Sequence, residues 1–216
     1  MDYTLISNSC VSAKIYQLLN PGVHKSFVDY TNPFIASWFP EDEQYVRFCE
    51  RYAWYTALEP EFGEPSTCLK WHRDTGKWVN LSRKITNYPV MFLGDVEIHW
   101  IHECNEKLLM KKYRERLRIS RELEPVFLWS DPEMFNIHSV EERFSLLYRF
   151  CQIPHKTLFL TKYPNEAMDK VVFVPEWEGK LQTDRYRQNF MNTWYNHPRL
   201  AELFKENMYA DHPYNF

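Results

Sequence analysis

Glycine is scarce in this chain, five residues in 216, and none forms the Gly-rich turn whose backbone amides cradle phosphates. No DxD-type metal motif accompanies it, so glycosyl or phosphoryl transfer from a nucleotide donor ranks low. The five cysteines, Cys10, Cys49, Cys68, Cys104 and Cys151, include no CxxC pair and are odd in number. That argues against a disulfide framework and a zinc ribbon, and for free thiols in a reducing cytoplasm. Apolar runs are short everywhere, well under the roughly 18 residues a membrane-spanning helix needs. The amino terminus, MDYTLISNSC, has no basic region followed by an apolar stretch, so classical export is not expected. With a net charge of −3 and a pI near 6.3, there is no basic excess to attract nucleic acid.

What is abundant is aromatic side chain. Eight Trp, 14 Tyr and 15 Phe make up 17% of the sequence. Rings bury large areas in any core, so a ring-filled interior is the first expectation and a ring-lined ligand site the second. The length suits one domain.

Along the chain, Tyr3 to Ser7 reads as a strand, and Val11, Ile15, Leu18 and Leu19 then share one helical face until Asn20-Pro21-Gly22. A short strand is expected at Pro33 to Ser37. A helix follows Pro40 with Phe48, Tyr52 and Tyr55 on its buried side. Residues 59–88 are a polar excursion, broken by Pro and Gly, that can form a rim or a small hairpin. YPVMFLGDVEIHWIHE then reads as two strands turning at Gly94-Asp95. Asn105 caps a helix to about Arg121 whose apolar positions Leu109, Tyr113 and Leu117 recur every four residues, with basic residues on a solvated face. A strand at Pro125 to Ser130, a helix at Val140 to Phe150 and strands at Thr157 to Thr161 and Val171 to Val174 follow. A helical pair at about 183–210 closes the chain. Alternating strands and helices predict a single α/β domain over residues 1–216, layered α/β/α around a mostly parallel or mixed sheet.

In such sheets ligands bind beyond the carboxyl ends of the strands. Three segments fall there: Ser7-Asn8-Ser9-Cys10, Ser130-Asp131 and Thr161-Lys162. Cys10 stands at the amino end of a helix, where free N–H groups and the helix dipole favour a thiolate over a thiol. Its alternative is simple packing, with Asn8 or Ser9 as an N-cap. For a base, alternation along DVEIHWIH puts Asp95, Glu97, His99 and Ile101 on one face and Val96, Ile98, Trp100 and His102 on the other. His99 on the polar face is the candidate base, with a surface or rim histidine as the alternative. The same geometry disfavours a metal shared by His99, His102 and Cys104, which point in different directions. No metal or cofactor is expected. Asp131 is the candidate acid that orients His99, although Asp131-Pro132-Glu133 also looks like a helix start. Asn8 and Ser9 are candidates for substrate contact near Cys10, and Lys162 can hold an anionic group or simply be solvated.

Taken together, ISNSC before a helix, YPVMFLGDVEIHWIH, VFLWSD and LFLTKYP resemble a bacterial family of uncharacterised domains labelled exopolysaccharide biosynthesis proteins. There is also a distant likeness to papain-like cysteine peptidases, in which a helix-borne Cys precedes a strand-borne His and then an acid or amide. Cys10, His99 and Asp131 follow that order, but no CGSCW-type signature is present. The resemblance implies a cytoplasmic enzyme with a cysteine nucleophile, a hydrolase or acyltransferase acting on a carbohydrate or glycan-linked substrate beside glycosyltransferase partners. The rival from another class is a non-catalytic glycan-binding or scaffolding accessory that stacks sugars on exposed Trp38, Trp54 or Trp71.

Overall fold

Two kinds of sheet organise the chain. The computed structural model describes residues 3–8, 32–34, 37–72, 77–81, 86–101, 103–130, 140–161 and 171–173. In chain order the elements are β1 (Tyr3–Ser7), α1 (Asp42–Glu50), α2 (Tyr52–Tyr55), β2 (Glu61–Phe62), β3 (Cys68–His72) and β4 (Lys77–Leu81). They continue with β5 (Val90–Leu93), β6 (Val96–His99), α3 (Glu106–Ser120), β7 (Glu124–Ser130), α4 (Val140–Cys151), β8 (Lys156–Thr161) and β9 (Val171–Phe173). The expected helices over Val11 to Leu19 and at 183–210 lie outside the described residues, as do Ser9, Cys10, Asp131 and Lys162.

β1, β7, β8 and β9 form a parallel sheet in that order, with Leu5 opposite Val126, Leu128 opposite Leu158 and Leu160 opposite Val172. Parallel neighbours require crossovers. α4 lies in the one between β7 and β8, while the long one between β1 and β7 contains α1 to α3 and β2 to β6. Val126, Phe127, Leu128 and Trp129 are all buried although their side chains alternate between faces. The sheet is therefore an interior layer, as the near-continuous apolar strands of a parallel sheet demand. A single α/β domain is the architecture found, its larger sheet parallel throughout the described strands rather than mixed.

The second sheet is antiparallel, in the order β2-β5-β6. β5 and β6 turn at Gly94, which has φ +59°, while Leu93 pairs with Val96 on either side. A glycine at the first central position of a two-residue loop supplies the positive φ that such hairpins need. A Cβ there would also come within 3.2 Å of Leu58 Cδ1. The polar excursion contains a separate hairpin, β3 with β4.

Asn105 caps α3 as expected, its Oδ1 accepting from Leu108 N at 3.0 Å. Leu109, Tyr113 and Leu117 face inward. The expected strand at Pro33 to Ser37 is not formed in the part described: Pro33 and Phe34 lie in a turn. The cause is Asn32, whose Nδ2 donates to Leu5 O at 2.7 Å while its Oδ1 accepts from Phe34 N at 2.8 Å. This is an Asx turn followed by a proline, which cannot donate to a ladder. The β-type contact comes one residue later, where Trp38 forms an isolated antiparallel bridge to His99.

Between the two sheets lies the aromatic interior that the composition implies. Phe48 packs edge-on to Phe34 at 5.0 Å and to Tyr52 at 5.6 Å, and Phe39 meets Tyr45 at 5.0 Å. Tyr45, fully buried on α1, aims its hydroxyl at the parallel sheet, 3.0 Å from Ile6 O and 2.8 Å from Leu128 O. One hydroxyl hydrogen is thus shared between the carbonyls of neighbouring strands. Burial pushes the phenol well above its ordinary pKa, so it stays protonated and able to donate. Tyr45→Phe leaves both carbonyls without this donor and is expected to lower unfolding free energy by about 1–3 kcal/mol. Urea denaturation checks this, and an unchanged midpoint would refute it.

Candidate active site

The residues that bring a site together stand at the carboxyl end of β1 and along β6. Asn8, immediately after β1, is buried; its N–H donates to Leu128 O at 3.3 Å and its carbonyl accepts from Phe39 N at 3.1 Å. The next residue back, Trp38, exchanges two backbone hydrogen bonds with His99, Trp38 N to His99 O at 2.8 Å and His99 N to Trp38 O at 2.9 Å. Trp38 and Phe39 therefore strap the carboxyl end of β1 to the end of β6, joining the two sheets where an α/β crevice is expected.

Alternation along β6 holds, but its consequence for exposure does not. The Glu97 and His99 face was expected to be the polar one, with a surface or rim histidine as the alternative to a base, and His99 is 0% exposed. Three neighbours cover it. The Trp38 ring meets the imidazole edge-on at 5.0 Å, the Tyr88 ring lies 5.6 Å away, and Val90 stands opposite His99 in the β5 ladder. Trp38, Tyr88 and Val90, with half-buried Phe92 and Ile101 against them, form a small apolar cluster separate from the main core. A rim histidine is thereby ruled out. His102 lies outside the described residues, and Cys104 is exposed.

Inside this enclosure both imidazole nitrogens are engaged. His99 Nε2 lies 2.7 Å from Glu97 Oε1, and Nδ1 lies 3.1 Å from the Tyr88 hydroxyl. A carboxylate can only accept, so Nε2 carries the hydrogen and Nδ1 in that tautomer accepts from Tyr88. Glu97, also buried, is held from two further sides: its Oε1 accepts from Ser66 N at 2.8 Å, and its own N–H donates to Gln44 Oε1 at 2.7 Å. Burial by itself would raise the Glu97 carboxyl, but the hydrogen bonds from His99 and Ser66 outweigh it and leave its pKa lowered. The result is an ionised carboxylate fixing one tautomer of a buried imidazole, the arrangement that prepares a histidine to accept a proton at its far nitrogen.

Of the residues expected to form the site, Asn8 and His99 are brought to the two ends of one strap, while Ser9, Cys10, Asp131 and Lys162 lie outside the described residues. The acid found on His99 is Glu97. Its signal was present in the sequence, since residues two apart on a strand share a face. Tyr88 carried a weaker one, two residues before the ladder partner of His99. Among the described residues no group of three or more His, Cys, Asp and Glu could hold a metal ion, and no helix is long and apolar enough to cross a membrane.

Fold and site together define an α/β protein with a parallel sheet and, at its carboxyl edge, a buried carboxylate–imidazole–phenol unit. Residues 1–205 match the family model described as a domain of unknown function, DUF1919, and the chain belongs to that family. No curated protein matches it.

Proposed function

We propose that this chain is a thiol-nucleophile enzyme, a hydrolase or acyltransferase of surface or exopolysaccharide biosynthesis, with Cys10 as its attacking group and His99 as its base. The strap carries the reading, because it fastens the β1 end that leads into Cys10 to the strand bearing the carboxylate-held His99. Glu97 takes the orienting role expected of Asp131. In the reaction the Cys10 thiol proton passes to His99 and the sulfur attacks an acyl carbon, releasing an alcohol or amine that takes the proton back. Water or an acceptor hydroxyl then attacks the thioester and returns a proton to the sulfur. Backbone N–H groups after β1, with Asn8 and Ser9, stabilise the oxyanion, and Lys162 meets an anionic part of a glycan-linked substrate. A cytoplasmic, reducing location beside glycosyltransferases suits a free thiol.

Cys10→Ala is expected to abolish the contribution of the protein to polysaccharide output without loss of folding. Output equal to wild type, at equal protein level, would sink the reading.

A glycan-binding accessory remains as a second reading on one observation, the half-exposed Trp54 indole. Trp38 drops out of that platform because it is buried against His99, and the Trp71 side chain is outside the description. This reading predicts that Trp54→Ala loses glycan binding in calorimetry while Cys10→Ala keeps it.

A further inference from the structure

We propose that α4 carries a self-association surface, pairing antiparallel with α4 of a second copy of this chain through Phe144 and Tyr148. The proposal does not depend on the chemistry assigned to Cys10.

The packing of α4 decides which face is left over. Leu146, Leu147 and Phe150 are buried in the main core, with Phe150 against Trp129 of β7. Arg149 ties the flank nearer α1 through ion pairs to Glu43 and Glu50, each at 2.7 Å. With 3.6 residues per turn, Phe144 and Tyr148 lie one above the other on the flank turned away from Arg149. They are 51% and 60% exposed. Half-buried Cys151 continues the same line one turn further on. A single exposed apolar side chain on a surface is ordinary, but two large rings at i and i+4 make an unpartnered stripe.

Self-complementarity selects the occupant. In a twofold antiparallel pair whose axis passes at the level of Leu146, each Phe144 meets the Tyr148 of the other copy. One contact is then made twice, as an isologous interface requires. Exposed Ser145, between the two rings in sequence, is small enough to let the helices approach. Charge agrees with this direction, since Glu141 in the first turn of each α4 runs toward the end of the other, where His155 and exposed Lys156 follow.

Area sets the strength. Aromatic side chains bury about 150–250 Å² each, so two rings slightly over half exposed offer roughly 200 Å² per copy. Four rings remove roughly 400 Å², well under the roughly 1,200–2,000 Å² of a stable interface. The surface therefore fits a reversible dimer with a Kd of about 0.1 mM, not an obligate one.

Sedimentation velocity of the full chain from about 10 μM to about 1 mM, a range that brackets this Kd, tests the pairing. Wild type is expected to pass from monomer to dimer and to form nothing larger. Phe144→Glu and Tyr148→Lys each stay monomeric over the same range, with the urea midpoint unchanged because both positions are exposed. Leu108→Ser, at an exposed apolar position on α3, dimerises as wild type does. An equimolar mixture of the Phe144→Glu and Tyr148→Lys proteins recovers a dimer, because the geometry sets the new acid against the new base and keeps one Phe144 on one Tyr148. Three results overturn the pairing: wild type monomeric to the top of the range, dimerisation that survives either α4 substitution, or a mixture that stays monomeric.

Discussion

Glu97→Ala is expected to destabilise the protein by about 3–5 kcal/mol, since it removes two hydrogen bonds to a carboxylate worth about 1.5–3 kcal/mol each. The loss exceeds that of one hydrogen bond because three groups converge on this residue: the His99 Nε2–H and the Ser66 N–H on its carboxylate, and Gln44 on its backbone. The His99 Nε2–H loses its acceptor inside the enclosure, where an unsatisfied buried donor bears its full desolvation penalty, while the N–H of exposed Ser66 can turn to water. Glu97→Gln keeps the shape and one carbonyl acceptor but loses the charge, and is expected to cost about 1.5–3 kcal/mol. The pair also leaves a signature in acid. The Glu97 pKa is lowered in the folded protein from an ordinary value of 4.5, so its contribution is complete above that value and is lost as pH falls through the lower folded one. Urea unfolding of wild type across that window should show a fall in stability that is shallower in Glu97→Gln. Equal slopes for the two proteins would refute the assignment. In the proposed reaction the same variants also release His99 from its tautomer, so turnover falls further than stability does.

Local patterns that agree with their tertiary setting were legible in the sequence. The Gly94-Asp95 hairpin, the Asn105 cap, the inward stripe Leu109, Tyr113 and Leu117, and the strand at the end of VFLWS each follow from turn chemistry or periodicity alone. The misread stretch at Pro33 to Ser37 shows where that method stops. Asn32 organises a turn through a bond to Leu5, 27 residues away in sequence, and propensity cannot see such a partner. His99 shows the same limit at the site. Its face on β6 was correct from the period of two, but whether that face meets solvent depends on Trp38 and Tyr88, brought over by a bridge and a neighbouring strand. Asp131, the acid expected from the strand ends, lies outside the described residues, whereas Glu97 reaches His99 through the shorter relation of two residues on one strand. Polar residues on a strand face read as exposed by default, and a buried carboxylate–imidazole pair is the exception that only the packing around it reveals.

Trp129→Ala is the other change expected to act strongly, lowering stability by about 3–5 kcal/mol as a buried ring is lost and a cavity opens. The side chain is fully buried on the central strand β7, packing 4.9 Å from Phe159 on β8 and 5.5 Å from Phe150 on α4. It also works as a polar contact, since Nε1–H donates to Asp42 Oδ1 at 3.1 Å in the first turn of α1. Trp129→Phe separates the two roles. It keeps ring contacts with the same neighbours and withdraws only the N–H from Asp42, so it is expected to cost about 1.5–3 kcal/mol, the range for a bond to a charged group. Denaturation of both variants measures the difference, and a Trp129→Phe protein as stable as wild type would show that the indole acts through packing alone. The Asp42 contact has a wider consequence because of where it lies. Trp129 is the next-to-last residue of β7, and α1 begins three residues after Phe39, so this bond fixes the chain just beyond the strap at the carboxyl end of the sheet. Site-resolved alkylation by iodoacetamide, read by mass spectrometry with exposed Cys104 as the reference for an accessible thiol, gives a second readout of that placement. If the strap positions the site, Trp129→Phe slows Cys10 relative to Cys104 while global stability falls only modestly. A Cys10 rate unchanged in a measurably destabilised Trp129→Phe protein would instead show that the strap is held by its own backbone bonds to Asn8 and His99 and does not depend on the anchoring of α1.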